Sequence, residues 1–519
     1  MKKPLLSILV SVILVASATV IAQETPGWHH MLVDNPEIDD HLRIKTHPFT
    51  GKPYISYYDA NTYEVKLASL QEGVWDIDIV ASLAPSNIGD LATCLSFHPV
   101  TGLPAVTYSG TDWKLYYGYQ DEFGNWNADY IDTAPASGSA FGLEYDHNSV
   151  PWVIYNNFND FIVRVAHKSG ESWEITQVDT DGASFDLAIH PETGYPAIAY
   201  LKITDFDQFA DVLMYASYNG SSWDKEIVDN SNDDHGPLSL VFHPTSHYPM
   251  IAYTPKISPG NRDLYFAAWN GSAWAIEEVD NVGDIGGWVD LAIDPVNNNP
   301  AIVYRIEEFH PDYTEPLFFT SKDGDTWAKE LIDLNVKKGK SVSFSQTGTA
   351  FIAYEKVLSD LYFSYKHESS NDEDGDGVIN DLDDCSGTPY GESVYTNGCS
   401  ASQIDSDGDG VPDVSDPCPQ DNPDDPDHDG ICTSSDICLL GDDHIDSDAD
   451  TVPDACDICS NYDDSLDADQ DGTVDCIDSG DSDEDGFIDA EEVACGSDPA
   501  DGNSKCNSFL PFLMLLLDD

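Results

Sequence analysis

His190-Pro191-Glu192-Thr193-Gly194-Tyr195-Pro196-Ala197-Ile198-Ala199-Tyr200 reads as a turn and a strand: a Pro- and Gly-containing turn feeds an alternating, β-branched run that stops at Tyr. His98-Pro99, followed by Gly102-Leu103-Pro104-Ala105-Val106-Thr107-Tyr108, repeats the arrangement. The closing Tyr returns at Tyr57, Tyr108, Tyr155, Tyr200, Tyr253, Tyr304 and Tyr354. A second landmark is a Trp that opens a short run ending in an aliphatic residue and usually Asp. It reads Trp28 to Asp34, Trp75 to Val80, Trp126 to Asp132, Trp173 to Asp179, Trp223 to Asp229, Trp274 to Asp280 and Trp327 to Asp333. The landmarks recur at intervals of roughly 35–55 residues, the period of solenoids and propellers.

Each unit carries four short alternating runs, for example residues 238–242, 250–253, 263–268 and 274–279. One four-stranded sheet cannot bury both of its faces, whereas sheets stacked radially around an axis can. Seven copies of each landmark therefore predict an all-β, seven-bladed β-propeller over residues 23–368. The first Trp run precedes any complete unit, and the last unit, 344–365, lacks a Trp run of its own. Lending the N-terminal strand to the last blade closes the ring and protects both edges, an exchange that a solenoid does not need.

From residue 369 to 506 the hydrophobic periodicity stops, and Asp, Gly, Pro and Cys take over. Too little apolar surface remains to offset the entropy of ordering, so this irregular region needs another source of stability. Its acids supply one. Counted from a first Asp, carboxylates or amides return at offsets 2, 4, 8 and 11. The first loop has Asp372, Asp374, Asp376, Asn380 and Asp383; the second has Asp405, Asp407, Asp409, Asp413 and Asp416. The third has Asp425, Asp427, Asp429 and Asp436, with Thr433 in place of an acid. The fourth has Asp446, Asp448, Asp450, Asp454 and Asp457, and the fifth Asp467, Asp469, Asp471, Asp475 and Asp478. The last, Asp481, Asp483, Asp485, Asp489 and Glu492, matches the EF-hand loop pattern, with Glu492 as its bidentate ligand.

Alternate residues of a tight turn point inward together, and Ca²⁺ takes six to eight hard oxygens at about 2.3–2.6 Å. Gly377, Gly410, Gly430, Gly472 and Gly486 stand at the sixth position, where the chain must bend sharply; the fourth loop has Thr451 there and is expected to bind more weakly or bend differently. Mg²⁺ fits less well because it holds its waters and a strict octahedron. Zn²⁺ is disfavoured because no Cys-His set has tetrahedral spacing. Ten of the eleven cysteines lie here, and Cys385, Cys418, Cys438 and Cys459 each follow a loop start by thirteen residues. Five disulfides are expected, with Cys385–Cys399 and Cys495–Cys506 as local pairs and the others open. Cys94 is left over, as a buried thiol in a propeller strand.

The run Asp405-Ser406-Asp407-Gly408-Asp409-Gly410-Val411-Pro412-Asp413, continuing to Asp416-Pro417-Cys418-Pro419, resembles a thrombospondin type 3 repeat. The likeness covers about residues 372–501 and departs at Thr433 and Thr451. It implies structural calcium in an extracellular protein, between adhesive or enzymatic modules. The turns before the Trp runs, such as Asn219-Gly220-Ser221-Ser222-Trp223, resemble the Asp boxes of sialidase-type propellers. Ser321-Lys322-Asp323-Gly324-Asp325-Thr326-Trp327 comes nearest, one residue short of that spacing. This second likeness speaks for fold alone.

The 519 residues carry 22 basic and 95 acidic side chains, a formal charge of -73. Such a balance excludes nucleic acid as a partner, because phosphate binding needs clustered Lys and Arg. Residues 1–22 read as a signal peptide: Lys2 and Lys3, an apolar stretch over 5–15, then Val20-Ile21-Ala22. The mature chain is thus expected to be secreted or at the cell surface, without a transmembrane span. In the tail, 507–519, the apolar run 509–517 is too short to cross a bilayer as a helix.

For the propeller, a noncatalytic binding role is expected, with a glycan or an extracellular protein as ligand. The long loops 204–211, 256–262 and 307–314 offer Phe206, Phe209, Phe309, His310 and Tyr313 for contact. The alternative is a sialidase-like glycoside hydrolase, which needs three convergent arginines. Only Arg43, Arg164, Arg262 and Arg305 are available, and Arg43-Ile44 is followed by Lys45 where that family has Pro. The His-Pro pairs at His47, His98, His190 and His243 are spread around the ring and read as turn residues.

Overall fold

The computed structural model describes residues 27–458 except 37, 39–41, 85–90, 111, 113, 134–141, 157–159, 206–209, 231–234, 256–261, 286–288, 307–314, 357–359, 368–370, 390–391 and 448. The described residues contain strands and turns and no helix. They fall into two compact units, up to Gly398 and from Cys399 onward. The loop at 372–383 therefore belongs to the same unit as the strands.

That unit is a β-propeller. Five separate sheets have four antiparallel strands each; the first runs Arg43–Thr46, Pro53–Asp59, Glu64–Gln71, Val74–Ser82. A sixth sheet has seven strands: Gly27–Asp34, Leu361–His367, Ala350–Lys356, Thr326–Phe344, Glu315–Asp323, Pro300–Arg305 and Asp290–Ile293. Thr326–Phe344 serves both halves of it. Its first part pairs with Glu315–Asp323 and its last part with Ala350–Lys356, and Val336 is paired on both sides. As the landmark offset predicts, the N-terminal strand joins the end of the ring: Gly27–Asp34 pairs antiparallel with Leu361–His367.

The innermost strands are Arg43–Thr46, Thr93–Phe97, Gly142–Tyr145, Gly182–Ile189, His235–Phe242, Asp290–Ile293 and the end of Thr326–Phe344. Each packs on the next around an axis, and the last returns to Arg43–Thr46. There Ser343 Oγ accepts the Thr46 N–H at 3.1 Å and lies 2.9 Å from the Thr46 hydroxyl.

The two sequence landmarks make the joints between sheets. Each closing Tyr is buried and, with one exception, donates its hydroxyl to the Asp that ends the preceding Trp strand: Tyr57 to Asp34 at 2.6 Å, Tyr155 to Asp132 at 2.8 Å, Tyr200 to Asp179 at 2.7 Å. Tyr253 to Asp229, Tyr304 to Asp280 and Tyr354 to Asp333 follow at 2.8, 2.6 and 2.9 Å. The exception is Tyr108, because Ala81 stands where the Asp would be. The Trp at the start of an outer strand meets an aromatic of the preceding sheet edge-on, as in Trp75 on Phe363, Trp173 on Tyr117 and Trp327 on Phe266. Edge-to-face pairs of this kind add roughly 0.5–1.5 kcal/mol beyond area burial.

The His-Pro pairs are turn caps. Nδ1 of His47 accepts the N–H groups of Phe49 and Thr50, and His98, His190 and His243 repeat this two and three residues on.

Candidate cation cages and the axial channel

The first four aspartate loops share one backbone course among the described residues. In the first, Asp372 accepts the N–H of Gly375 on Oδ1 and of Gly377 on Oδ2; in the second, Asp405 accepts Gly408 and Gly410. Asp425 takes His428 and Gly430 in the third, and Asp446 takes Ala449 and Thr451 in the fourth. Two residues per loop have positive φ. Gly377, Gly410 and Gly430 sit at +101°, +97° and +92°, and Thr451 at +84°. Thr451 thus keeps the bend of its glycine counterparts, in a conformation that a β-branched residue rarely adopts. The expectation that the fourth loop bends differently is not met.

This course brings the offsets 0, 2 and 4 together. Carboxylate oxygens of Asp372, Asp374 and Asp376 lie within 4.8 Å of one another, as do those of Asp405, Asp407, Asp409 and of Asp425, Asp427, Asp429. One oxygen of Asp376, of Asp407 and of Asp427 is shut off from solvent and accepts no hydrogen bond. Burial and the charges of Asp374, Asp383 and Asp372 push Asp376 up to about 6. Burial and like charges also raise Asp383, Asp407 and Asp436. Asp374 moves the other way: against burial, the N–H groups of Thr388 and Gly387 hold it below the usual range.

Offset 8 has a different job. Asn380, Asp413 and Asp454 accept the backbone N–H of the second loop residue, at Glu373, Ser406 and Ser447, and so hold the loop shut. Thr433, at the same place in the third loop, bonds instead to the carbonyls of Pro423 and Asp424. Its lack of a carboxylate subtracts nothing from the Asp425, Asp427, Asp429 cluster. Offset 11 contributes through a residue outside the template: Asp416 meets Asp407 and Asp424 within 4.8 Å. Asp443 likewise faces Asp436 and caps Ile437 and Cys438. Asp424 and Asp443 carry no spacing signal, because they belong to connectors rather than loops.

Cys418 pairs with Cys432 and Cys438 with Cys456, while Cys385 and Cys399 are each in a disulfide. Asp448, Cys459, all of the fifth and sixth loops and the pair Cys495–Cys506 lie outside the described residues, as do the propeller-loop residues Phe206, Phe209, Phe309, His310 and Tyr313.

In the propeller, the innermost strands line an axial cavity of about 510 Å³. Arg43 reaches across it to Asp290 at 2.8 Å and Asp186 at 3.8 Å. The Ser239 hydroxyl lies between the two carboxylates, 3.1 Å from Asp186 and 3.2 Å from Asp290, Ser341 donates to Asp290, and Lys45 pairs with Glu144 at 2.7 Å. Burial raises Asp186 against the pull of Arg43. Cys94 is buried beside Arg43 and in no disulfide, and burial pushes its thiol up to about 11. Arg164 is held by Asp160 at 2.6 Å and Arg305 by Glu315 at 2.6 Å, each in its own sheet.

No family model and no curated protein matches this chain. Among solved structures it is similar to the six-bladed fucose-binding lectin of Aleuria aurantia (13% identity, TM-score 0.39, covering 58% of this chain and 98% of the lectin). AofleA from Arthrobotrys oligospora is 12% identical, with a TM-score of 0.40, over 59% of this chain and 90% of that one. The Hadza microbial sialidase Hz136 is 13% identical, with a TM-score of 0.38, over 65% and 67%. Identities and scores this low carry no inference about ligand or activity.

Proposed function

We infer that this chain is an extracellular calcium-binding protein in which a noncatalytic propeller presents a ligand surface and the acidic repeats hold calcium. Counting the seven-stranded sheet as two blades that share Thr326–Phe344 gives a seven-bladed ring.

One observation carries the calcium reading. Successive loops hold three carboxylates within 4.8 Å, with buried oxygens that accept nothing from the protein. Two carboxylates about 4 Å apart repel by roughly 4 kcal/mol at an effective dielectric near 20, so such a cage needs a cation to be stable. The donors are oxygens spaced along a flexible loop, the set Ca²⁺ takes. Offsets 0, 2, 4 and 11 would hold the ion, with offset 8 closing the turn. The paired cysteines favour an oxidising, extracellular setting, and together with the repeated loop course they favour the thrombospondin type 3 likeness.

For the propeller, the noncatalytic reading draws support from its arginines. Arg43, Arg164 and Arg305 are each engaged by carboxylates of the chain, at three separate places. Titrating the metal-stripped chain with calcium, followed by circular dichroism and calorimetry, is expected to give a saturable change with heat. Identical spectra in chelator and in millimolar calcium would overturn the calcium reading. A glycan array separates sugar from protein ligands, and turnover of a fluorogenic sialoside that disappears in Arg43→Lys would overturn the noncatalytic one.

A further inference from the structure

We propose that cation occupancy of the first aspartate loop clamps the propeller ring shut at the junction of its last and first sheets, making that ion a structural cofactor of the ring itself. The inference rests on the calcium reading above and extends it from the loop to the propeller.

The junction is where the chain closes its circle. Gly27–Asp34 and Leu361–His367 stand on one side, Arg43–Thr46 and Pro53–Asp59 on the other. Residues of the first loop grip both sides. On the last sheet, Asp381 Oδ2 accepts the hydroxyls of Ser345, Thr347 and Thr349, all on one turn. On the first sheet, Lys52 donates to Asp384 at 2.7 Å and to the carbonyl of Leu382 at 3.3 Å. The turn between Glu64–Gln71 and Val74–Ser82 presses so closely that a Cβ on Gly73 would meet the Thr396 backbone at 2.5 Å. Val378, Ile379, Leu382 and Val394 are buried in the same apolar cluster as Ile44, Ile55, Leu361 and Phe363, which spans the junction.

Cage and grip are interleaved on one short segment. Asp374 and Asp376 belong to the cage; Val378, Ile379, Asp381, Leu382 and Asp384 face the sheets. Repulsion among the cage carboxylates favours a more open loop, and opening the turn that follows Asp376 withdraws the residues that hold the junction. A cation that closes the cage therefore holds the ring, and a weakened ring lowers affinity for the cation by the same factor.

The sequence supplies the reporter. All eleven tryptophans lie between Trp28 and Trp327, so their fluorescence follows the ring alone. Heat unfolding of the full chain, metal-stripped and then with calcium about a hundred-fold above its dissociation constant, should show a midpoint higher by roughly 5 °C with calcium. Asp374→Asn with Asp376→Asn should abolish the rise. Asp381→Ala, which keeps the cage carboxylates, should retain the calorimetric heat of calcium binding but lose most of the rise. Asp407→Asn with Asp409→Asn, in the other compact unit, should keep it whole. Calcium heat without a tryptophan shift, a full rise in Asp381→Ala, or loss of the rise in the Asp407/Asp409 variant would each overturn the clamp and leave calcium binding standing. Absence of calcium heat in the parent chain would overturn both.

Discussion

Asp179 in the propeller and Asp376 in the first loop are the same residue in opposite surroundings. Asp179 ends a Trp strand with the Tyr200 hydroxyl at 2.7 Å and Lys202 and Lys225 at 2.8 and 3.3 Å, and these hold it down to about 2 in spite of burial. Asp376 has other carboxylates for neighbours, keeps a buried oxygen that accepts no hydrogen bond, and is pushed up to about 6. The propeller carries its own counter-charges, with Lys66 at Asp34, Lys202 and Lys225 at Asp179, Lys329 at Asp280 and Lys356 at Asp333. The loops carry none. Acidity is therefore a finished structural element in one region and an open valence in the other, and a net charge of -73 hides the distinction.

The largest effect expected from this contrast is on removing metal. Limited proteolysis after chelation should concentrate cuts between 371 and 506 and spare the strands of the propeller; uniform cutting of both would erase the contrast. Next in size is Arg43→Met. It leaves Asp186 and Asp290 buried at the axis without their guanidinium, and breaking a buried pair in this way costs about 3–5 kcal/mol. Urea unfolding read by tryptophan fluorescence measures it, and a loss below ~1 kcal/mol would mean that the axis is a solvated surface.

A smaller effect sharpens the comparison within the ring. Tyr200→Phe removes a donor to a charged acceptor and should cost about 1.5–3 kcal/mol. Tyr108→Phe should cost distinctly less, because Ala81 replaces the latch carboxylate there. Equal losses would show that the hydroxyls matter little to the joints.

The smallest effect is a difference of sign with pH. Asp179 is held below its unfolded value near 4, so its contribution is complete above about pH 4 and fades as pH falls toward 2. In metal-stripped protein Asp376 is raised, so the first loop binds a proton that the unfolded chain has already released. Its stability then falls as pH climbs from about 4 to 6. Hydrogen exchange over 376–388 should quicken more across that window than base catalysis alone predicts, and Asp376→Asn should remove the excess.

Much of this was legible in the residues. Both landmarks mark real elements, the N-terminal strand closes the ring, and in the first three loops offsets 0, 2 and 4 do converge. That Tyr200 bonds to Asp179 was not legible: the partners belong to neighbouring sheets, and spacing along the chain names neither as the other's acceptor. Offset 8 looks like a ligand position because Asn and Asp also cap backbone N–H groups, and only the direction of Asn380 and Asp413 separates the two uses. Asp381 gave no signal, since its partners Ser345, Thr347 and Thr349 are ordinary turn residues far back in the sequence.

The uninterrupted strand Thr326–Phe344 has a consequence for how the ring comes apart. Two sheets sewn to one ribbon, with Val336 stitched on both edges, cannot peel away separately. Residues 290–367 should unravel as a single foldon, while sheets elsewhere in the circle share no strand with a neighbour and can fray one at a time once their Tyr–Asp and Trp joints give way.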